Sequence, residues 1–386
     1  MLYLVHMNII KIHHNLLSNF TNNYQSKELL IMGGNALKTI TTTRKSPVDY
    51  EKIKDYVLRV LCEKLSNTGI QWCVPHEAPG KDSYGDLDVL LTRQSEFDIR
   101  EWILATFKPD EIVSNGGVYS FNIGNEEGQH IARDFQGDGN QASGSSLARD
   151  FQVDFITTPA ENFAVHHFFL SWGDCGMLVG QIAHAAGLRF GQQGLFIGIS
   201  DRPGMSDDLI LSKDPRKICE FLGLDFDRWY NRFVSEPDIF AWLCESPFMR
   251  NIKLDRSRRC REMYLRFGEF VKTQRAALDE LSSTEPSDVA DAPSLDAVVA
   301  YFGKQADFAA IQKKQSDAVR RSEKFGAHLF SALGDIPGRE LGQIIARFKQ
   351  TIPGDFKAWV LATDEAEIQV AVSGFLSSSG FLPVGN

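Results

Sequence analysis

The sequence predicts an α+β protein in which a small mixed β-sheet with flanking helices is followed by mainly helical domains. Three observations carry that expectation. Residues 47–66 space Tyr50, Ile53, Tyr56, Val57, Val60, Leu61 and Leu65 by three and four, the period of an amphipathic helix. Two short stretches, Asp86-Leu87-Asp88-Val89-Leu90-Leu91 and Val153-Asp154-Phe155-Ile156, alternate or run apolar, as strands do. Beyond residue 160, helical periodicity dominates to the C-terminus.

In chain order, the first helix leads to a strand entered through Gly80 and Gly85 and left through Thr92-Arg93-Gln94. A helix is expected over 97–107. Gly116-Gly117 then closes a hairpin between 112–113 and 118–123. Residues 124–147 are rich in Gly, Gln, Ser and Asn and open a local duplication: Ala132-Arg133-Asp134-Phe135-Gln136 recurs as Ala148-Arg149-Asp150-Phe151-Gln152. The loop sequence Gly137-Asp138-Gly139-Asn140 follows the first copy, whereas the strand sequence from Val153 follows the second. Asp154 is therefore placed on the sheet, and Asp138 is not. Turn-forming residues over 282–294 mark a linker before a last helical unit.

With 386 residues, the chain has room for two or three domains, and its 43% hydrophobic and 24% charged residues exclude disorder throughout. A net charge of −9 argues against a strong nonspecific DNA binder. Nucleic-acid contact would then rest on local basic patches, either Lys253, Arg256, Arg258, Arg259, Arg261 and Arg266 or Lys313, Lys314, Arg320, Arg321 and Lys324; solvated helix faces explain both equally well. The six cysteines form no C-x-x-C pair or zinc-spaced cluster, which predicts reduced thiols and an intracellular, nuclear or cytoplasmic, protein. No apolar run reaches the ~20 residues that span a bilayer. Residues 1–31, ahead of Met32, read as a targeting or disordered tail or as lying upstream of the true start, and are set aside from the fold.

Two aspartates one residue apart on a strand share a face, and a third on a neighbouring strand can complete a cluster. Asp86, Asp88 and Asp154 meet that description, with Leu87, Val153 and Phe155 expected to face the core and hold them rigid. Such oxygen-rich clusters suit magnesium.

The string Gly80-Lys81-Asp82-Ser83-Tyr84-Gly85-Asp86-Leu87-Asp88-Val89-Leu90-Leu91-Thr92 resembles the palm motif of family X DNA polymerases, the DNA polymerase β-like nucleotidyltransferases. The resemblance implies that Asp86, Asp88 and Asp154 hold two Mg2+ ions, or Mn2+ in their place, and that Asp154 activates the acceptor hydroxyl. Phe168-Phe169-Leu170-Ser171-Trp172-Gly173-Asp174 is similar to the stretch that opens the family's nucleotide-selecting subdomain, which would set Phe168 and Phe169 against the sugar and Asp174 near the base. Residues 182–190 look like the helix that follows it.

The family's Gly-Ser pair and arginine, which grip the triphosphate, fall on Val74-Pro75-His76-Glu77-Ala78-Pro79, so that grip is missing. Phosphate binding would rest on Lys81, Ser83 and the backbone through Gly85, or on another element. Gly33-Gly34-Asn35-Ala36-Leu37-Lys38, with Arg44 and Lys45, is a candidate for it; a plain turn is the simpler reading. The family's DNA-gripping modules have no room ahead of residue 66.

The resemblance thus covers roughly residues 70–245, and 333–345 are faintly similar to a helix of CCA-adding and poly(A) polymerases. The domains expected are a palm over 32–160, a thumb-like helical domain over 161–281 and a helical domain over 295–386. The function implied is Mg2+-dependent transfer of a nucleoside monophosphate from a nucleoside triphosphate to a hydroxyl of DNA or RNA. Transfer to another acceptor such as tRNA or protein, and an inactive nucleotide-binding protein, are the alternatives.

Overall fold

A computed structural model describes residues 34–124, 148–202, 205–252, 261–281 and 292–381. Helix α1 (Pro47–Leu65) starts where the Ser46 hydroxyl accepts the Asp49 N–H and Pro47 presets the first turn. All seven apolar residues of its predicted stripe are buried. Strands β1 (Trp72–Cys73) and β2 (Asp86–Thr92) follow, then α2 (Ile99–Phe107), capped by Asp98, and the hairpin of β3 (Ile112–Asn115) and β4 (Val118–Asn122). Strand β5 (Gln152–Thr158) completes a mixed sheet of order β1-β2-β5-β4-β3.

Only β2 and β5 are parallel, because α2 and the hairpin supply the crossover that a parallel pair requires. These two central strands are covered by neighbours on both edges. Leu87, Val89, Val153 and Phe155 expose nothing and pack with Phe107, Phe121 and α1 into the main core.

Beyond the sheet come α3 (Phe163–Leu170) and α4 (Cys175–Ala185), but the helical run expected there is interrupted. Strands β6 (Arg189–Gly191), β7 (Gly194–Arg202) and β8 (Met205–Ser212) form a second, three-stranded sheet. Arg189 and Phe190, expected on a helix, are therefore strand residues paired with Phe196 and Leu195. Helices α5 (Pro215–Leu222), α6 (Phe226–Tyr230), α7 (Glu236–Leu243) and α8 (Glu262–Leu281) follow. Gly223 ends α5 in the left-handed region, φ 68°, and a Cβ there would lie 2.5 Å from the Pro247 ring.

The described residues fall into two compact units, one within 1–197 and 210–294, the other within 198–209 and 295–386. The second is built on α9 (Leu295–Phe302), α10 (Gln305–Lys324), α11 (Gly338–Thr351), α12 (Phe356–Ala362) and α13 (Glu365–Ser378). Its core gathers Phe330, Ile344, Phe348, Val372 and Leu376, with Phe325, Phe356 and Trp359 around Phe348. The first copy of the duplication, with Asp138, and residues 282–291 of the expected linker lie outside the described residues, as do Lys253, Arg256, Arg258, Arg259 and Cys260. Cys62, Cys73, Cys175 and Cys219 are free thiols. Among the described residues no helix is long and apolar enough to cross a membrane.

Candidate active site

Asp88 lies directly opposite Asp154 in the parallel ladder, and Asp86 lies opposite Gln152. Alternation puts all four side chains on one face while Leu87, Val153 and Phe155 anchor the other in the core. Across the other edge of β5, Ser120 pairs with Asp154 and donates its hydroxyl to that carboxylate. The Gln152 amide nitrogen lies 3.0 and 2.9 Å from the two Asp154 oxygens.

Burial raises the Asp88 carboxyl to about 8; the negative charges of Asp86 and Asp154 add to the rise, and Lys81 opposes it. Asp154 is raised to about 6, again chiefly by burial and further by Asp86, while hydrogen bonds from Ser120 and Gln152 restrain it. An arrangement of this kind holds negative charge against both lost hydration and like-charge repulsion, and positive charge placed among the oxygens relieves both. The carboxylate oxygens are hard donors of the kind magnesium takes, and Asp86, Asp88 and Asp154 are the residues that would hold it. Among the described residues no three or more His, Cys, Asp and Glu side chains already form a metal cage. Two of the three aspartates accept protein hydrogen bonds instead.

One of those bonds comes from a segment the sequence left open between a phosphate grip and a turn. Residues 34–45 form a strap across the starts of β2 and β5. The Gly34 N–H donates to Asp86 Oδ2 at 3.0 Å and the Ala36 N–H to Gln152 Oε1 at 2.8 Å. Gly34 has φ 75°, and a Cβ on it would meet the Gly85 carbonyl oxygen at 2.4 Å, so only glycine fits.

Further along, the N–H groups of Lys38, Thr39 and Ile40 converge on Glu111, which these bonds and the Thr39 hydroxyl pull down to about 2. Lys45 is tied to Asp150 at 2.6 Å, and its backbone pairs with that of Tyr84. Arg44 donates to the Ser83 hydroxyl at 2.9 Å and to the Ser83 carbonyl at 2.7 Å.

The other expected contacts divide. Lys81 is exposed beside the Tyr84 ring, 5.5 Å from its centroid. Ser83 is taken by Arg44, whose guanidinium lies against the turn that leads into β2. Gly85 is buried beneath the strap.

Phe168 is a correction: it is 2% exposed, enclosed by Phe190, Phe226 and Trp229, and closed to a sugar. An apolar ring on the inner face of α3 gains more from that aromatic core than from solvent. Phe169 is half-buried against Phe190, and Asp174 is ion-paired with Arg261. Several residues of the basic patches are engaged as well. Arg266 pairs with Glu236 and Glu262, and Lys314 with Asp207.

Sequence reasoning missed Gln152, Ser120, Tyr50 and Glu77. Tyr50 stacks on Tyr84 with centroids 3.8 Å apart and donates its hydroxyl to Glu77, which Lys54 also meets at 3.2 Å. Burial, then Glu77, push the Tyr50 phenol up. The signal for Gln152 was present: two residues before Asp154 on a strand is the same face.

His166 and His167 are adjacent on α3. His166 is buried, and His167 lies against His76 and Trp229. No protein-family model matches the chain, and no curated protein matches it significantly.

Proposed function

We propose that the chain is a nucleotidyltransferase that moves a nucleoside monophosphate from a nucleoside triphosphate to a hydroxyl, in the simplest case the 3′-hydroxyl of a nucleic acid. The supporting observation is the register that sets Asp88 opposite Asp154, with Asp86 on the same face of a buried parallel pair. Bound there, two magnesium ions would supply the charge that sharpens the attacking hydroxyl and neutralises the leaving pyrophosphate. Asp154, steadied by Ser120 and Gln152, receives the proton as the hydroxyl oxygen bonds to the α-phosphorus. The bond from that phosphorus to the β-phosphate oxygen breaks, and Lys81 and Arg44 stand where the triphosphate charge needs partners. Asp88→Asn and Asp154→Asn are expected to reduce transfer of labelled nucleotide to background while the fold survives; retained transfer in either variant refutes the assignment.

A second reading concerns the acceptor. The net charge of −9 and the ion pairing of Arg261, Arg266 and Lys314 favour an acceptor gripped through few phosphates, a short nucleic-acid end or a protein, over a long duplex. Offering each labelled triphosphate with DNA, tRNA and protein acceptors separates these outcomes. Triphosphate bound without Mg2+ and without pyrophosphate release identifies a binding protein instead.

A further inference from the structure

We infer that Gln152 is a positioning residue that fixes the Asp154 carboxylate, and that the strap of residues 34–45 fixes Gln152 in turn. The inference rests on the reading of Asp154 as a cation-holding group. Gln152 is 2% exposed, so its amide has no free exchange with water and must find its partners in the protein. Its oxygen accepts the Ala36 N–H at 2.8 Å.

That single bond decides which end of the amide meets Asp154. With the amide turned over, its oxygen would face a carboxylate and its NH2 would face an N–H, two repulsions in place of two attractions. The backbone of the strap therefore dictates that the NH2 group lies 3.0 and 2.9 Å from the Asp154 oxygens. With Ser120 on the other side, the carboxylate is held between two donors, and removing Gln152 frees it to rotate.

The strap is itself pinned, by Glu111 to Lys38, Thr39 and Ile40 and by Asp150 to Lys45. It also holds Asp86 through Gly34, so acids on two strands are referenced to one backbone segment. Spacing along β5 could not show this, because the partner that orients Gln152 lies 116 residues away in sequence.

The test uses the full chain. Gln152→Met keeps the length of the side chain and removes its hydrogen bonds, and Ala36→Pro removes the N–H that orients it while fixing φ at that position. Mn2+ binding followed by electron paramagnetic resonance is the first readout, and label transfer at saturating triphosphate is the second. Loss of an orienting partner behind a metal ligand costs ~10–100-fold in metal affinity or activity, so Gln152→Met is expected to fall by that factor in both, with the KM for triphosphate and the melting temperature little changed.

Ala36→Pro is expected to show a smaller loss in the same direction, and to add nothing further when combined with Gln152→Met. Should Gln152→Met prove unstable, Ala36→Pro carries the same comparison with Gln152 in place. Wild-type Mn2+ affinity and transfer in a folded Gln152→Met or Ala36→Pro protein overturn the inference while leaving the proposed reaction standing. Additive losses in the double variant overturn the link through the strap. A wild-type protein that binds no Mn2+ removes the underlying reading, and this inference with it.

Discussion

At the scale of single residues, the site is built against its own stability. Asp88 sits beside two other carboxylates on a buried face, and burial with their charges raises it to about 8. Asp88→Asn removes the repulsion and keeps the shape, so the metal-free Tm is expected to rise by a few degrees, and the further rise that Mg2+ is expected to give the wild type should be lost. Calorimetry with and without Mg2+ measures both, and a lower metal-free Tm for the variant contradicts this electrostatic account. These acids, and Gln152 two residues from Asp154, were legible in the sequence because alternation on a strand is local; their partners from Gly34 and Ser120 were not, because those meet the acids only when the chain folds. Phe168 erred for the same reason, since nothing local tells a ring on a short helix whether Trp229 or solvent lies beyond it. A pH effect belongs to this scale too. Burial lowers His166 and His167 from 6.5 to about 4 each, and the buried His166 Nε2 has no hydrogen-bond partner. As pH falls, the unfolded chain takes the protons first, so their contribution is complete above about 6.5 and is lost as pH falls through about 4. His166→Phe is expected to recover on the order of 2 kcal/mol of that loss at pH 4 and to change little at pH 8. Parallel curves of stability against pH for the variant and the wild type would exclude His166 as a source of the acid sensitivity.

Among elements, the strap carries the least regular structure and holds two of the acids. Gly34 makes its tightest turn, with φ 75° and the Gly85 carbonyl where a Cβ would stand. Gly34→Ala would place an L-residue in the left-handed region at a cost of ~1–2 kcal/mol and displace the strap besides. Faster amide exchange over residues 36–45 and weaker Mn2+ binding are expected, with the core of α1, β2 and β5 still protected; unchanged exchange in the strap would mean that Gly34 does not hold it down. The regular elements show what a sequence yields and what it hides. Helix α1 and strands β2 and β5 were readable because each repeats one period over its whole length between clear stops. The sheet of β6, β7 and β8 was overlooked although Leu195, Ile199, Leu209 and Leu211 are buried at strand spacing. Short apolar runs flanked by helical patterns do not declare their period, and the pairing that selects strand over helix comes from partners across the sheet.

For the whole molecule, the division into two compact units governs how the chain should lose its structure. The five-stranded sheet has its own core around Leu87, Val153, Phe155 and Phe107, and the C-terminal helices have theirs around Phe348. Cores that share no residues need not melt together, so unfolding is expected in more than one step. Phe348 is 1% exposed and touches Phe325, Phe356, Trp359 and Phe375, which leaves little to collapse into the space it fills. Phe348→Ala should therefore cost ~3–5 kcal/mol, felt in the transition of the helical unit alone. The transition of the unit with Asp86, Asp88 and Asp154, the one that Mg2+ is expected to raise, should keep its temperature in this variant. Scanning calorimetry of the full chain with and without Mg2+ separates the two. A single transition that falls as one in Phe348→Ala would show that the units fold as one cooperative body, and that the carboxylate site draws its rigidity from both cores.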